Sequence, residues 1–337
     1  MYFPIESYLS IVVAEAIERN ATREYAMSTD LNTATFRTAV VREPSGPDSI
    51  EIIDVPVVEP GPGEVRVRVA ATAVNPVDLG VAGGFFHSMG LIDQPEHTGL
   101  GWEFAGTVAA TGPGVDLLFG ARVAGLVAGF DRDFGTYAEQ LVVPAADIAL
   151  VPDRLDLTVA STVPLNGLTA AQILDLIGDA PAPSGGSRLL VTGAAGAVGG
   201  YLAVLAQDRG WQLTGLARAE DEEFVRGLGA DFATQAEPRW DAVADAAVLQ
   251  EKGLALVADG GIFVGVRPGA APPAERGITS QAVEVHPDGA RLGELLTRTA
   301  SGELPARVHA VLPLDQVADA HRAVAKGGVR GRYVLTP

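Results

Sequence analysis

Leu189-Leu190-Val191-Thr192-Gly193-Ala194-Ala195-Gly196-Ala197-Val198-Gly199-Gly200 sets an apolar, strand-like run against glycines spaced by three. The following stretch, Val198–Arg209, places Leu202, Leu205 and Ala206 on a helical period, and a second strand pattern runs over Gln212–Ala217. Strand, glycine turn and helix together suit a dinucleotide. Small residues let the backbone approach a pyrophosphate, whose charge sits at the helix N-terminus. The spacing is G-x-x-G-x-x-G rather than the commoner G-x-G-x-x-G, but the physical requirement is shared. Gly193, Ala195, Gly196, Ala197, Val198 and Gly199 are therefore the candidate cofactor-binding residues. The competing reading is a tight strand-to-helix turn with no ligand.

The end of the second strand is where the adenosine ribose is read. An acid there selects NAD, whereas an arginine accommodates the 2′-phosphate of NADP. The strand ends Gly215-Leu216-Ala217-Arg218, so Arg218 points to NADPH. Glu220-Asp221-Glu222-Glu223 follows at once; it reads as a solvated first helical turn, and its charge opposes a phosphate.

Beyond this unit, Val159–Ile177 and Glu220–Leu228 read as helical, and Trp240–Ala246 and Gly261–Val266 as strands. Strands alternating with helices imply a doubly wound parallel sheet. Upstream the texture is β-rich. Ile50–Val55 and the alternating Glu64–Ala70 flank the turn Pro60-Gly61-Pro62-Gly63, and Gly106–Ala110, Ala121–Leu126 and Tyr137–Val143 continue the pattern. Residues 4–19 read as a short amphipathic helix, either a docking element or a peripheral extension. They carry no basic leader, and Glu6, Glu15 and Glu18 interrupt their apolar run, so no secretory signal is expected.

The 337 residues are 47 % hydrophobic and 20 % charged, a globular profile. Lys+Arg 24 against Asp+Glu 42 gives a net charge of −18, which argues against nucleic acid and anionic lipid as partners. No apolar run reaches the ~18 residues of a membrane span. Cysteine is absent, which excludes disulfides, thiolate metal sites and a cysteine nucleophile. The five histidines show no metal-ligand spacing, so no metal site is expected.

Several segments, in order, resemble the medium-chain dehydrogenase/reductase superfamily, and within it the zinc-free quinone oxidoreductase and enoyl reductase branch. They are Asn75-Pro76-Val77-Asp78, Gly101–Val108, Gly135–Glu139, Leu165–Ala171, the glycine turn, Leu228–Asp231 and Gly328–Leu335. The likeness runs from about Phe36 to Pro337. It implies a GroES-like distorted β-barrel catalytic domain (34–160 plus 287–337) with a Rossmann domain (161–286) inserted, preceded by an extension (1–33). It further implies a homodimer joined through Thr279–Val285, with nicotinamide and substrate held between the domains.

Zinc-dependent relatives carry a cysteine early in the barrel and a histidine before its glutamate. Here those places hold Asn75 or Pro76, and Trp102 before Glu103. The resemblance therefore implies metal-free, NADPH-dependent hydride transfer to a small apolar enone, enoyl thioester or quinone by a cytoplasmic enzyme. It sets Asn75 beside the nicotinamide as an amide donor, Asp78 as the residue fixing that loop, and Gly265 and Val266 along the nicotinamide. Asn75 and Asp78 also read simply as turn residues. Phe85, Phe86 and Trp102 are candidates for an apolar pocket or for core packing. Four departures stand out. Gly80 replaces a tyrosine, Asn166 replaces a lysine, a second lysine falls in the acidic Asp221–Glu222 region, and the tyrosine after the third Rossmann strand is missing from Ala233–Ala236. These departures keep open a protein of the same fold that binds without redox turnover. An ordinary alcohol dehydrogenase is the third possibility, which the missing cysteines oppose.

Overall fold

The computed structural model describes residues 34–182 and 186–337. The helix expected over 4–19 lies outside the described residues. The first half of the chain folds as β1 (Thr35–Val41), β2 (Ile50–Pro56), β3 (Glu64–Val74), β4 (Thr98–Gly99), β5 (Glu103–Thr111), β6 (Arg122–Leu126), β7 (Gln140–Pro144) and β8 (Ile148–Leu150). Two short helices, α1 (Pro76–Ala82) and α2 (Phe85–Ser88), interrupt it after β3. Alternation decides which way these strands face. In β3, Val65, Val67 and Val69 are buried on one face, while of the intervening arginines Arg68 is exposed and Arg66 partly covered.

The second half alternates. It runs α3 (Leu157–Ala160), α4 (Pro164–Ile177), β9 (Arg188–Thr192), α5 (Ala197–Leu205), β10 (Gln212–Leu216), α6 (Glu222–Gly227), β11 (Asp231–Ala233) and β12 (Trp240–Asp245). It continues through α7 (Glu251–Leu254), β13 (Val257–Gly265) and β14 (Thr279–Ala282). The chain ends with α8 (Gly289–Ala300), β15 (Val308–Pro313), α9 (Val317–Ala325) and β16 (Arg332–Thr336).

β9 to β14 form a parallel six-stranded sheet in the order β11-β10-β9-β12-β13-β14. This is the Rossmann order, with β9 at the point where winding reverses. The central strand is wholly apolar inside; Leu189, Leu190 and Val191 are fully buried, as a strand covered on both faces must be. The other half closes as a seven-stranded sheet, β15-β16-β3-β5-β6-β8 with β7 also on β3, beside a smaller β2-β1-β4 sheet. β16 returns from the far end of the chain to pair antiparallel with β3. The GroES-like barrel and the Rossmann sheet share one core: Trp102, Ala105 and Leu126 belong to the same buried cluster as Leu189, Val191 and Leu202.

Three expected helices differ from the structure. Val198–Arg209 ends as an α-helix at Leu205 and closes with a 3-10 turn at Gln207–Arg209. Val159–Ile177 is not one helix but α3 and α4, broken at Ser161–Val163. Pro164 at the start of α4 has no N–H to continue the ladder, and the Ser161 and Thr162 hydroxyls donate back to the carbonyls of Thr158 and Val159. Glu220–Leu228 divides into a 3-10 turn at Ala219–Asp221 and the shorter α6.

Candidate active site

Two groups of residues stand out, one at the carboxyl ends of β9, β12 and β13 and one around β5 and α4. The first is built on the glycine turn. Gly193 has φ +63°, a conformation that costs a residue with a Cβ and leaves glycine free. A Cβ on Gly199 would stand 2.2 Å from the Gly193 carbonyl oxygen, so the helix can start this close to the strand only with glycine there. On β10, Gly215 leaves room in the same way: a Cβ there would stand 2.6 Å from Val225 Cγ1 and 2.7 Å from Ala194 Cβ. Thr192 donates to Asp245 at 2.6 Å, and that buried carboxylate also accepts from the amides of Leu249 and Gln250, which ties the ends of β9 and β12 together.

Past the turn, no side chain caps α5. The first-turn amides of Ala197, Val198 and Gly199 have no acceptor within the helix, and the dipole places partial positive charge there. Gly196 is exposed and Ala197 and Val198 are half-exposed, whereas Ala195 and Gly199 are buried and shape the turn. This cradle fits an anionic pyrophosphate. Gly265 is buried and in register with Asp245, and Val266 beside it is half-buried. The Arg218 side chain is 63 % exposed, with Glu220 at 3.8 Å.

The second group surrounds Glu103, which is fully buried at the start of β5. Its Oε1 accepts from Asn75 Nδ2 at 2.8 Å and Asn166 Nδ2 at 3.1 Å, and its Oε2 accepts from the Leu165 amide at 2.8 Å. Arg332 Nη2 donates to Asn166 Oδ1 at 2.5 Å. Burial pushes the Glu103 carboxyl up to about 7, against the hydrogen bonds from Asn75 and Leu165. Asp78 accepts from the backbone amides of Asn75 at 2.8 Å and Gly101 at 3.1 Å, locking α1 onto the segment that leads into β5. Burial raises its carboxyl to about 6. Asn75 and Asp78 are thus adjacent, and both are buried. The Asn75 amide is spent on Glu103 and on the Ala73 carbonyl in this structure.

Sequence reasoning missed Glu103 as the partner of Asn75 and Arg332 as the partner of Asn166. Both stand in the segments that carry the resemblance, yet nothing local joins residues 28 and 166 positions apart. It also missed Phe130, which unites the aromatic candidates. Phe85 meets Phe86 edge-on at 5.2 Å, Phe86 stacks on Phe130 at 4.0 Å, and Phe130 meets Trp102 edge-on at 5.3 Å. The Arg132 guanidinium lies 5.1 Å from the Trp102 ring. Gly80 has a reason in this ladder: a Cβ there would stand 2.6 Å from Phe86 Cε2. Phe86 thus fills space that a larger residue at position 80 would need. Gly80→Tyr is expected to cost about 1–3 kcal/mol by displacing Phe86. In a Phe86→Ala background most of that loss should vanish. Urea unfolding of the four variants measures the coupling, and equal costs in both backgrounds would rule out the contact.

Among the described residues, no three His, Cys, Asp or Glu side chains cluster so as to hold a metal ion. Among them too, no helix is long and apolar enough to cross a membrane.

Comparison with known proteins accords with this geometry. The family model for the alcohol dehydrogenase GroES-like domain matches residues 61–153, and that for zinc-binding dehydrogenases matches 217–335. The chain belongs to the medium-chain dehydrogenase/reductase superfamily. Within that superfamily, it is 29 % identical over 291 residues to an NADPH-dependent alkenal/one oxidoreductase of Arabidopsis thaliana, covering 81 % of this chain and 72 % of that protein. It is 30 % identical over 306 residues to the pikromycin polyketide synthase component PikAII of Streptomyces venezuelae, covering 82 % of this chain. It spans only 8 % of that synthase component. The solved quinone oxidoreductase of Coxiella burnetii shares the fold, with a TM-score of 0.78 at 23 % identity over 90 % of this chain and all of that one.

Proposed function

We propose that the protein is a zinc-independent reductase that uses NADPH to reduce an activated C=C, in an enone or enoyl thioester, or a quinone. One observation carries the reading. Where zinc-dependent relatives place ligands, this chain has Asn75 bonded to Glu103 and Trp102 in an aromatic ladder. Bound nicotinamide supplies the hydride. The chain's own part is to hold the pyrophosphate on the amides of Ala197, Val198 and Gly199, and to keep the α1 loop rigid through Asp78. Phe86, Phe130 and Trp102 offer an apolar surface to the acceptor, and the proton comes from water. Arg218 reads the 2′-phosphate, with Gly265 and Val266 bordering the nicotinamide. A homodimer is proposed through Thr279–Val285. β14 lies within that stretch at the end of the Rossmann sheet, with β13 as its one strand partner among the described residues.

The test is a fluorescence titration with NADPH, followed by NADPH oxidation with a panel of enones, enoyl thioesters and quinones. Binding with turnover by one acceptor class is the expected result; no binding would sink the proposal. Binding without turnover across the panel would favour a redox-silent protein, a reading supported by the engaged amide of Asn75 and the absence of a hydroxyl side chain at Gly80.

A further inference from the structure

Arg307 lies on the segment between α8 and β15, and it reaches across to the glycine turn. Its Nη2 donates to the Ala195 carbonyl, and its guanidinium carbon stands 3.8 Å from the centroid of the Phe224 ring on α6. Pro305, two residues earlier, packs on the same place: a Cβ on Gly200 would come within 3.2 Å of it. The guanidinium is therefore fixed between the turn and α6, beside the uncapped start of α5.

Several arginines of this half pair with carboxylates, while Arg332 donates to Asn166. Arg330 forks onto Asp221 with both contacts at 2.6 Å, Arg298 pairs with Asp208 and Glu303, and even exposed Arg218 has Glu220 within 4 Å. Among the described residues no carboxylate lies within ion-pair distance of Arg307. Burial, then the nearby charges of Arg330 and Arg332, hold its pKa below the usual arginine value, with Asp221 opposing. A partly desolvated cation without an anion is a costly arrangement unless a ligand supplies the anion.

We propose that Arg307 is a phosphate-binding residue of the dinucleotide site, reaching the bound nucleotide's phosphoryl oxygens from the barrel half of the chain. The proposal rests on reading the glycine turn as a dinucleotide site. A guanidinium suits the role because its planar fork can keep one N–H on the Ala195 carbonyl while others turn to an oxyanion. The phosphate is either the pyrophosphate shared by NADH and NADPH or the 2′-phosphate of NADPH alone.

Both nucleotides are titrated by calorimetry against the whole chain, Arg307→Gln and Arg307→Lys. Gln retains a donor for Ala195 without charge, and Lys retains the charge without the fork. Arg307→Gln should bind NADPH ~10- to 100-fold more weakly, the range that a charge-assisted contact supplies, with a melting temperature close to the parent's. Arg307→Lys should recover part of the affinity. Equal loss for both nucleotides identifies the pyrophosphate, and loss confined to NADPH identifies the 2′-phosphate; either supports the proposal. Parental affinity in Arg307→Gln overturns it. So does equal loss in both variants accompanied by a lowered melting temperature, which marks a purely structural latch. If the parent chain itself binds neither nucleotide, the dinucleotide reading fails, and this proposal with it.

Discussion

Gly196→Asp should weaken NADPH binding severely while the chain stays folded. Gly196 is the exposed member of the turn, and a Cβ there meets one tight contact, the Gly193 carbonyl oxygen at 3.0 Å. The backbone yields to that by a few tenths of an ångström. The carboxylate, in contrast, would stand at the uncapped start of α5, where the proposed pyrophosphate sits. Two like charges about 4 Å apart repel by roughly 1–4 kcal/mol at a protein surface, and the added side chain also occupies the space of the nucleotide. A loss of about 100-fold or more is expected, read by fluorescence titration beside a thermal melt. Gly199→Ala separates the two requirements of the turn. Its Cβ would lie 2.2 Å from the Gly193 oxygen and 2.8 Å from Ala194 Cα, so fold and binding should fail together. Parental affinity in Gly196→Asp would remove the nucleotide from this turn.

Glu103→Ala has the largest expected effect on stability. Removing the carboxylate leaves the amide groups of Asn75 and Asn166 and the Leu165 N–H buried without their common acceptor, and takes a negative charge from near Arg332. Losing one partner of such a network costs about 3–5 kcal/mol. The same carboxylate makes stability depend on pH. Its native value, about 7, lies above the ordinary glutamate value of 4.5, so the native state holds the proton more tightly than the unfolded chain. The associated stability is fully present below pH ~4.5 and is lost as pH rises through ~7, by about 3 kcal/mol. Asp78, raised to about 6, acts in the same direction over a lower window. Glu103→Gln cannot titrate, so its urea-derived stability should fall less between pH 5 and pH 8 than the parent's. Parallel profiles would show that Glu103 keeps an ordinary pKa.

The Rossmann sheet was legible because its signals are local. An apolar run between a charged residue and a glycine turn delimits β9 at Arg188–Thr192, the residues at which the strand is found. The turn glycines could be ranked by type, though which of them face outward depends on packing that spacing does not record. The Glu103 cluster was not legible. It joins the N-cap of α1, the start of β5, the first turn of α4 and the last strand, and no periodicity links those places. Asn166 drew notice as a departure from a lysine; its meaning emerges only when Arg332 is seen to supply the neighbouring cation. Gly80 likewise looked like a missing side chain until Phe86 was found in its space.

The return of β16 to β3 has a consequence for how the molecule is made. Val74 pairs with Tyr333 and Thr72 with Leu335, so a central strand of the antiparallel sheet waits for residues near the end of the chain. All six strands of the parallel sheet lie between them and can associate earlier. At ~5–20 residues per second of synthesis, β3 stays without this neighbour for on the order of ten seconds or longer. During that interval its free edge is open to wrong partners. Loss of the last few residues should therefore lower the yield of soluble protein more than it lowers the affinity of whatever folds for nucleotide.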